Sequence, residues 1–503
     1  MTKLNYYLTA LAKDQSEWKS FREFLGSPYF SNSEIQQRCL DGFSEVIQGN
    51  LAEADLVKFV YPEEDPRKKR GYFGKVRSQF QGSFDGFLAV QAYQNDPFAA
   101  KYYLLKALDA RRLDRFFEKI FQDVTEVLEE QECQLGEKFR FQMELADLYD
   151  RYLHRKEKQV SGARYQAEIR YGDQFFEYRQ LKMACDTLNL ELIREVIHNQ
   201  PYLDRVLEVV EAGWDEKPIL IQYYFLAYKM LLQLKDSGFS PAGENQYFLR
   251  LKAALLDTQA PIAKPEWKDL MEILVNFCTL SQNFFQSNAE TNYSDQFVEE
   301  LAEIYGFQLE HKIIFQEAGG SEYLDHGDFI NIVTIFSGHG KWNWVADFID
   351  RYAENLDKDL RGEARSLARG ILLYKKGKVS EAGEILSGTI RKLKEPYDQF
   401  CALKSRVYNI RCLFESGEYE DCRRALSAFD RSMKNKVKKG KKGPKKYRQF
   451  VRYTSKLCLI VSGNPDRKKA DLIELESLLK NEEECISLKW LLERVQMHRK
   501  NGV

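Results

Sequence analysis

The chain has 503 residues, well past the roughly 250–300 residues at which one hydrophobic core stops growing, so a single compact core is excluded and several domains or an elongated repeat array is expected. Its 75 basic and 76 acidic side chains leave a formal charge of −1, which excludes a net-charge attraction to polyanions and makes any electrostatic function local. Only 12 prolines and 29 glycines, against 30% charged and 13% aromatic residues, favour helix.

The first thirteen residues contain too short an apolar stretch for a secretory signal, and Asp14 and Glu17 follow closely. No segment approaches the ~20 apolar residues needed to span a bilayer, so the expected location is the cytoplasm. The 9 cysteines are odd in number, scattered and without a C-x-x-C pair. That spacing excludes a disulfide framework or a zinc knuckle and fits a reducing compartment.

From Ser16 to Leu25, the residues Trp18, Phe21, Phe24 and Leu25 recur at helical spacing. Gly26-Ser-Pro28 ends that helix, and Ser31-Asn-Ser33 offers a cap for the next, which carries Ile35, Leu40, Phe43 and Ile47. After an exposed turn at Pro62–Pro66, Phe73, Val76, Phe80, Phe84, Phe87 and Leu88 mark a further helix. Asn95-Asp96-Pro97 sets a capping residue before a proline, and helices continue through 104–128 and 139–153. Strand signals are scarce, and the β-branched run Phe329-Ile-Asn-Ile-Val-Thr-Ile-Phe336 reads as helix from its place in the repeats below.

Those repeats are clearest in the last third. Leu372-Leu-Tyr-Lys-Lys-Gly377-Lys-Val379-Ser-Glu-Ala382 recurs forty residues on as Cys412-Leu-Phe-Glu-Ser-Gly417-Glu-Tyr419-Glu-Asp-Cys422. Each reads as helix, glycine turn, helix. The glycine permits the left-handed backbone that ends the first helix, the apolar residue two positions later packs under the turn, and the small Ala or Cys lets the helices approach. A looser copy surrounds Gly340 and Ala346. Copies spaced 36 and 40 residues apart (382 − 346 and 422 − 382) mean stacked helical hairpins.

These units resemble tetratricopeptide repeats in their turn chemistry, with Gly370 at the small position of one first helix and Ile410 in its place in the next. Over nearly its whole length the chain is similar to a family of large, uncharacterised tetratricopeptide-like helical-repeat proteins of Bacteroidota. The residues that carry this are Phe21-Arg-Glu-Phe-Leu-Gly-Ser-Pro-Tyr-Phe30, Leu56-Val-Lys-Phe-Val-Tyr-Pro62, Phe329-Ile-Asn-Ile-Val333 and Trp344-Val-Ala-Asp-Phe-Ile349. The resemblance implies a helical-repeat fold and transfers no activity.

Nucleophile elbows, phosphate loops, dinucleotide fingerprints and H-E-x-x-H helices are absent from the sequence. Asp325-His326-Gly-Asp328 reads as a loop in which Asp328 caps the helix starting near Phe329, ahead of a metal site. His339, between two glycines, reads as part of a hairpin turn, and Glu482-Glu-Glu484 as acidic charge near a helix start. Cys401, Cys412, Cys422 and Cys458 read as buried structural thiols. Phe116, Phe117 and Phe121, like Tyr223, Tyr224 and Phe225, read as core, and exposed members would mark a peptide groove. Neither catalytic residues, a metal nor a cofactor is expected.

One segment stands out. Residues 434–448 hold nine positive charges in fifteen positions: Lys434, Lys436, Lys438, Lys439, Lys441, Lys442, Lys445, Lys446 and Arg448, with Gly440, Gly443 and Pro444 breaking the helix and Tyr447 available to stack on a base. Its first reading is a solvated loop that self-repels, and beside that it is a candidate polyanion-binding site, lysine suiting sequence-independent phosphate contact. Arg67-Lys-Lys-Arg70 is a smaller cluster, read as a solvated helix start. The expected architecture is an all-α, α-solenoid chain of stacked tetratricopeptide-like helical hairpins, with an N-terminal helical region at 1–94, helical pairs at 95–327 and repeats at 328–503. The expected function is a non-catalytic scaffold or adaptor that binds a protein partner on a helical-repeat groove. The alternative is a nucleic-acid- or ribosome-associated factor using the lysine-rich loop 434–448.

Overall fold

The computed structural model describes residues 8, 11–12, 15–31, 33–96, 98–130, 136–157, 162–194, 199–259, 261–288, 290–318, 321–358, 360–392, 399–438, 445–463, 465–482 and 485–500. Among them the chain is all-α apart from one short hairpin. It divides into two compact units, one of residues 1–238 and 245–273, the other of 239–244 and 274–503.

Unit 1 opens with α1 (Gln15–Gly26), α2 (Glu34–Gln48), α3 (Leu56–Val60) and α4 (Pro66–Asn95). Ser33 caps α2 by accepting from the Gln36 N–H, and Gly49 ends it at φ 82°. Phe21 from α1 and Phe43 from α2 meet Phe80 and Phe84 of α4, so the four-residue aromatic spacing of α4 becomes the seam of this group's own core. Asp96 accepts from the Phe98 and Ala99 N–H groups at the start of the next helix, while Pro97 lies outside the described residues. The stretch 104–128 is two helices, α5 (Ala99–Ala110) and α6 (Asp114–Glu130), parted where Arg112 adopts φ 55°. Phe117 is buried as expected, but Phe116 is 60% exposed. Their adjacency on one helix turns them about 100° apart, so one cannot follow the other into the core.

The unit continues with α7 (Gly136–Glu157), α8 (Gly162–Arg194), α9 (Leu203–Ala212), α10 (Ile219–Ser237) and α11 (Gln246–Leu255), then enters α12 (Lys264–Ser287), within which the division between units falls. Helix α8 packs against α7, α9 and α10, and Tyr223, Tyr224 and Phe225 of α10 are all buried.

Unit 2 contains α13 (Thr291–Glu310) and the antiparallel pair β1 (Gln316–Ala318) and β2 (Ser321–Tyr323), in which Gln316 lies opposite Tyr323. Four helical pairs follow: α14 (His326–Gly338) with α15 (Trp342–Tyr352), α16 (Arg361–Lys375) with α17 (Val379–Lys392), α18 (Gln399–Glu415) with α19 (Tyr419–Lys438), and α20 (Lys445–Val461) with α21 (Pro465–Lys480). α22 (Leu488–Lys500) closes the unit. The β-branched run sits inside α14 with Phe329, Ile330, Ile332, Val333 and Phe336 buried; burial outweighs the few tenths of a kcal/mol by which such residues disfavour helix. The cap of α14 is Asp325, accepting from the Gly327 and Asp328 N–H groups, which corrects the expectation of Asp328. The helix starts three residues earlier, at His326, putting Asp328 in its first turn.

The glycine turns take the conformation their chemistry requires: Gly340, Gly377 and Gly417 have φ of 74°, 80° and 76°. Beyond two of these turns Ala382 and Cys422 are fully buried, and a Cβ on Gly370 would stand 2.7 Å from Leu386, so the small residues do mark close helix approach. First helices also meet first helices, since α16 packs on both α14 and α18.

Candidate functional site

Three successive first helices of unit 2 bring polar and aromatic side chains to one face. On α18 the residues Phe400, Lys404, Tyr408, Arg411 and Glu415 recur at four, four, three and four positions, one helical stripe. Lys404 crosses to α14, where its Nζ donates to Asn331 Oδ1 at 3.2 Å, and its ammonium lies 4.4 Å from the centre of the Phe400 ring. Tyr408 is buried and in hydrogen-bond contact with Thr334 of α14.

One turn further along, the Arg411 guanidinium stands 4.7, 5.1 and 5.4 Å from the ring centres of Tyr374, Tyr408 and Trp490, and its Nε donates to the Tyr374 hydroxyl. Glu415 accepts from the Tyr374 hydroxyl and, at 2.6 Å, from Trp490 Nε1. Lys375, the last residue of α16, carries its Nζ 3.9 Å from where a Cβ on Gly338 would be.

The electrostatics are lopsided. Burial pushes the Lys404 ammonium down to about 8 and lowers Lys375 as well. Neither lysine has a carboxylate at ion-pair distance among the described residues, and neither does Arg411. Glu415 and Glu493 act on Lys375 only from a distance. Burial also raises Tyr374 and Tyr408, so both hydroxyls stay protonated donors through the neutral range.

The lysine-rich segment is described at its two ends. Lys434 is exposed and pairs with Asp430 at 2.7 Å in α19; Lys436 and Lys438 lie on the same helix. Lys439, Gly440, Lys441, Lys442, Gly443 and Pro444 lie outside the described residues. Lys445, Lys446 and Arg448 are exposed in the first turn of α20. Tyr447 is turned inward against Phe429, a core ring, and burial raises its hydroxyl, which corrects the expectation of a ring available for base stacking. A residue one position from an exposed lysine on a helix faces another way. The cluster at 67–70 belongs to unit 1, where Asp65 caps the helix by accepting from the Arg67 N–H, and Lys69 pairs with Glu64 at 2.7 Å.

His339 is drawn into structure: its ring nitrogens stand 2.9 Å from Gln282 Nε2 and 3.3 Å from Asp295 Oδ1, and burial lowers its basicity. His198, Cys133, Glu483 and Glu484 lie outside the described residues. Cys401, Cys412, Cys422 and Cys458 are buried, with burial raising Cys412 to about 12; Cys422 and Cys458 lie Sγ to Sγ at 3.5 Å. Among the described residues no group of three His, Cys, Asp or Glu side chains is placed to hold a metal. Among the described residues no helix is long and apolar enough to cross a membrane.

Unit 1 holds a buried polar cluster centred on one carboxylate. Glu266 of α12 accepts from the hydroxyls of Tyr178 and Tyr224, both at 2.7 Å, from Lys182 Nζ at 3.1 Å and from the Gly136 N–H at 3.1 Å. Lys182 also reaches Asp269 at 2.6 Å. Burial acts to raise the Glu266 carboxyl, but the donors from Tyr224, Lys182 and Tyr178 outweigh it and hold it below the usual range. Four donors on one carboxylate leave no lone pair for a ligand, so this cluster ties α7, α8, α10 and α12 together.

The sequence reading missed Lys375, Lys404 and Arg411. The signal available to it was the stripe from Phe400 to Glu415, in which every helical return is polar or aromatic where a wholly buried helix would be aliphatic. Comparison with family models, with curated proteins and with solved structures yields no match.

Proposed function

We propose that the chain is a non-catalytic cytoplasmic scaffold or adaptor, an α-solenoid of tetratricopeptide-like hairpins akin to the Bacteroidota family it resembles. It holds a protein partner along the face made by α14, α16 and α18. The observation that carries this is the character of that face: three first helices in mutual contact are lined by Asn331, Tyr374, Lys404 and Arg411, where a sealed helix interface would be lined by aliphatic side chains. The Arg411 fork among three aromatic rings has the composition of a protein-binding hot spot.

A photo-crosslinking residue at position 404, compared with one at exposed Arg424 of α19, tests the reading in native lysate. Crosslinks to protein at 404 and none at 424 support it; equal labelling at both positions, or a captured set that vanishes with nuclease, defeats it.

A second reading, a nucleic-acid- or ribosome-associated factor acting through 434–448, is favoured by one observation. Lys445, Lys446 and Arg448 sit in the first turn of α20, where the helix macrodipole disfavours cations, so helix stability does not account for them. Phosphate binding there would collapse between low and moderate salt through counterion release.

A further inference from the structure

Unit 2 pairs its charges wherever the purpose is structural. The buried carboxylate of Glu476 takes Arg499 at 2.7 Å and Lys480 at 3.1 Å. On α16, Arg361 pairs with Glu354, and Arg365 and Arg369 pair with Asp350. Half-buried cations without a carboxylate at ion-pair distance include Arg406, set against the Phe429 ring, but three of them gather on the first-helix face: Lys375, Lys404 and Arg411, from two neighbouring helices. A desolvated cation without a counter-charge costs stability, and the rings and neutral oxygens around Lys404 and Arg411 offset only part of that cost.

Resting on the scaffold reading above, we infer that this face binds an acidic peptide segment, whose carboxylates complete the ion pairs that Lys375, Lys404 and Arg411 lack. Lys404 and Arg411 are seven residues apart on α18, about 10 Å along the helix axis. In a polyproline II peptide, which rises about 3.1 Å per residue with three residues per turn, positions three apart cover that span on one face, so the fitting ligand carries Asp or Glu at every third position. Exposed Asn331 adds an amide beside Lys404, and the half-buried Phe400 ring offers apolar surface next to it, while buried Tyr374, Tyr408 and Trp490 hold the Arg411 guanidinium in place. Arg411 suits a carboxylate because its fork is already oriented by three rings, which lowers the entropy lost on pairing.

The test is fluorescence anisotropy of the full chain with a labelled extended peptide of roughly fifteen residues, a Glu-Gly-Ser repeat that matches this spacing, against its Gln-Gly-Ser counterpart. Binding of the acidic probe that weakens about tenfold in Lys404→Met and in Arg411→Gln, with the glutamine probe inert, supports the inference. Equal affinity for both probes, or no change in either variant, overturns it. If protein crosslinks at position 404 persist while the acidic probe fails, the acidic class falls and the scaffold reading stands. Poly(dT) competing at the face and losing affinity in Lys404→Met reassigns the site to nucleic acid and overturns the inference. Denaturant unfolding of Lys404→Met, expected to show it at least as stable as the parent, separates lost binding from lost structure.

Discussion

Buried charge is handled in opposite ways in the two units. In unit 1 a single carboxylate, Glu266, gathers four donors, and its neighbour Lys182 is shared with Asp269. In unit 2 three cations on one face have no carboxylate at ion-pair distance among the described residues, and Lys404 and Arg411 lie instead against rings and neutral oxygens. The first arrangement is complete, and removing any member leaves an orphan. The second is incomplete as it stands, and removing a member relieves the fold. That difference separates a structural network from a surface awaiting a partner better than burial does, since both sets are desolvated.

The largest expected effect breaks the complete network. Glu266→Ala leaves two tyrosine hydroxyls and the Gly136 N–H unpaired and Lys182 with Asp269 alone, and a loss of about 3–5 kcal/mol is expected, read by segment-resolved hydrogen exchange in α8 and α10. The sign with pH follows from the lowered carboxyl: its stabilising contribution is present above the ordinary value of 4.5 and is lost as pH falls from there through the lower folded value. Parent and variant should therefore converge in strongly acid solution and diverge toward neutral. A variant as stable as the parent at pH 7 would mean that the network contributes nothing.

Next in size is Gly136→Ala. A Cβ there would stand 2.0 Å from Cζ of Tyr178, a ring atom that cannot yield without dragging its hydroxyl off Glu266. About 2–3 kcal/mol is expected, with the same hydrogen-exchange signature as Glu266→Ala. In the double variant the effects should fall well short of their sum, because both act through one network.

How much of this was readable beforehand differs by level. The helical class and the turns at Gly340, Gly377 and Gly417 were legible because glycine chemistry and apolar spacing are local properties. The cap of α14 was misread by three positions because Asp325 and Asp328 both have capping chemistry, and only the backbone path decides which is used. The hairpin of β1 and β2 carried a signal, Gly319-Gly320 between short segments, too brief to outweigh its helical surroundings. The Glu266 network was illegible, since Gly136, Tyr178, Tyr224 and Glu266 are brought together from four distant stretches of chain. The lysine-rich run drew attention by its density, whereas the cations of the first-helix face are isolated in sequence, and their interest lies in missing partners, which composition does not report.

The smallest expected effect has the opposite sign and is the sharpest probe of the contrast. Lys404 donates to one amide oxygen and is otherwise desolvated, so Lys404→Met keeps the length and the contact with Phe400 while removing the uncompensated charge. A gain of about 1 kcal/mol is expected at pH 7 from denaturant unfolding followed in α18. The folded ammonium lies near 8 and the unfolded one near 10.5. Over that interval the unfolded chain holds the extra proton, so the parent's stability rises with pH and the advantage of the variant shrinks between pH 8 and 10.5. A loss of stability in Lys404→Met would mean that the hydrogen bond to Asn331 outweighs the desolvation, in which case Lys404 belongs to the structural class of Lys182 and the contrast between the two units fails at that residue.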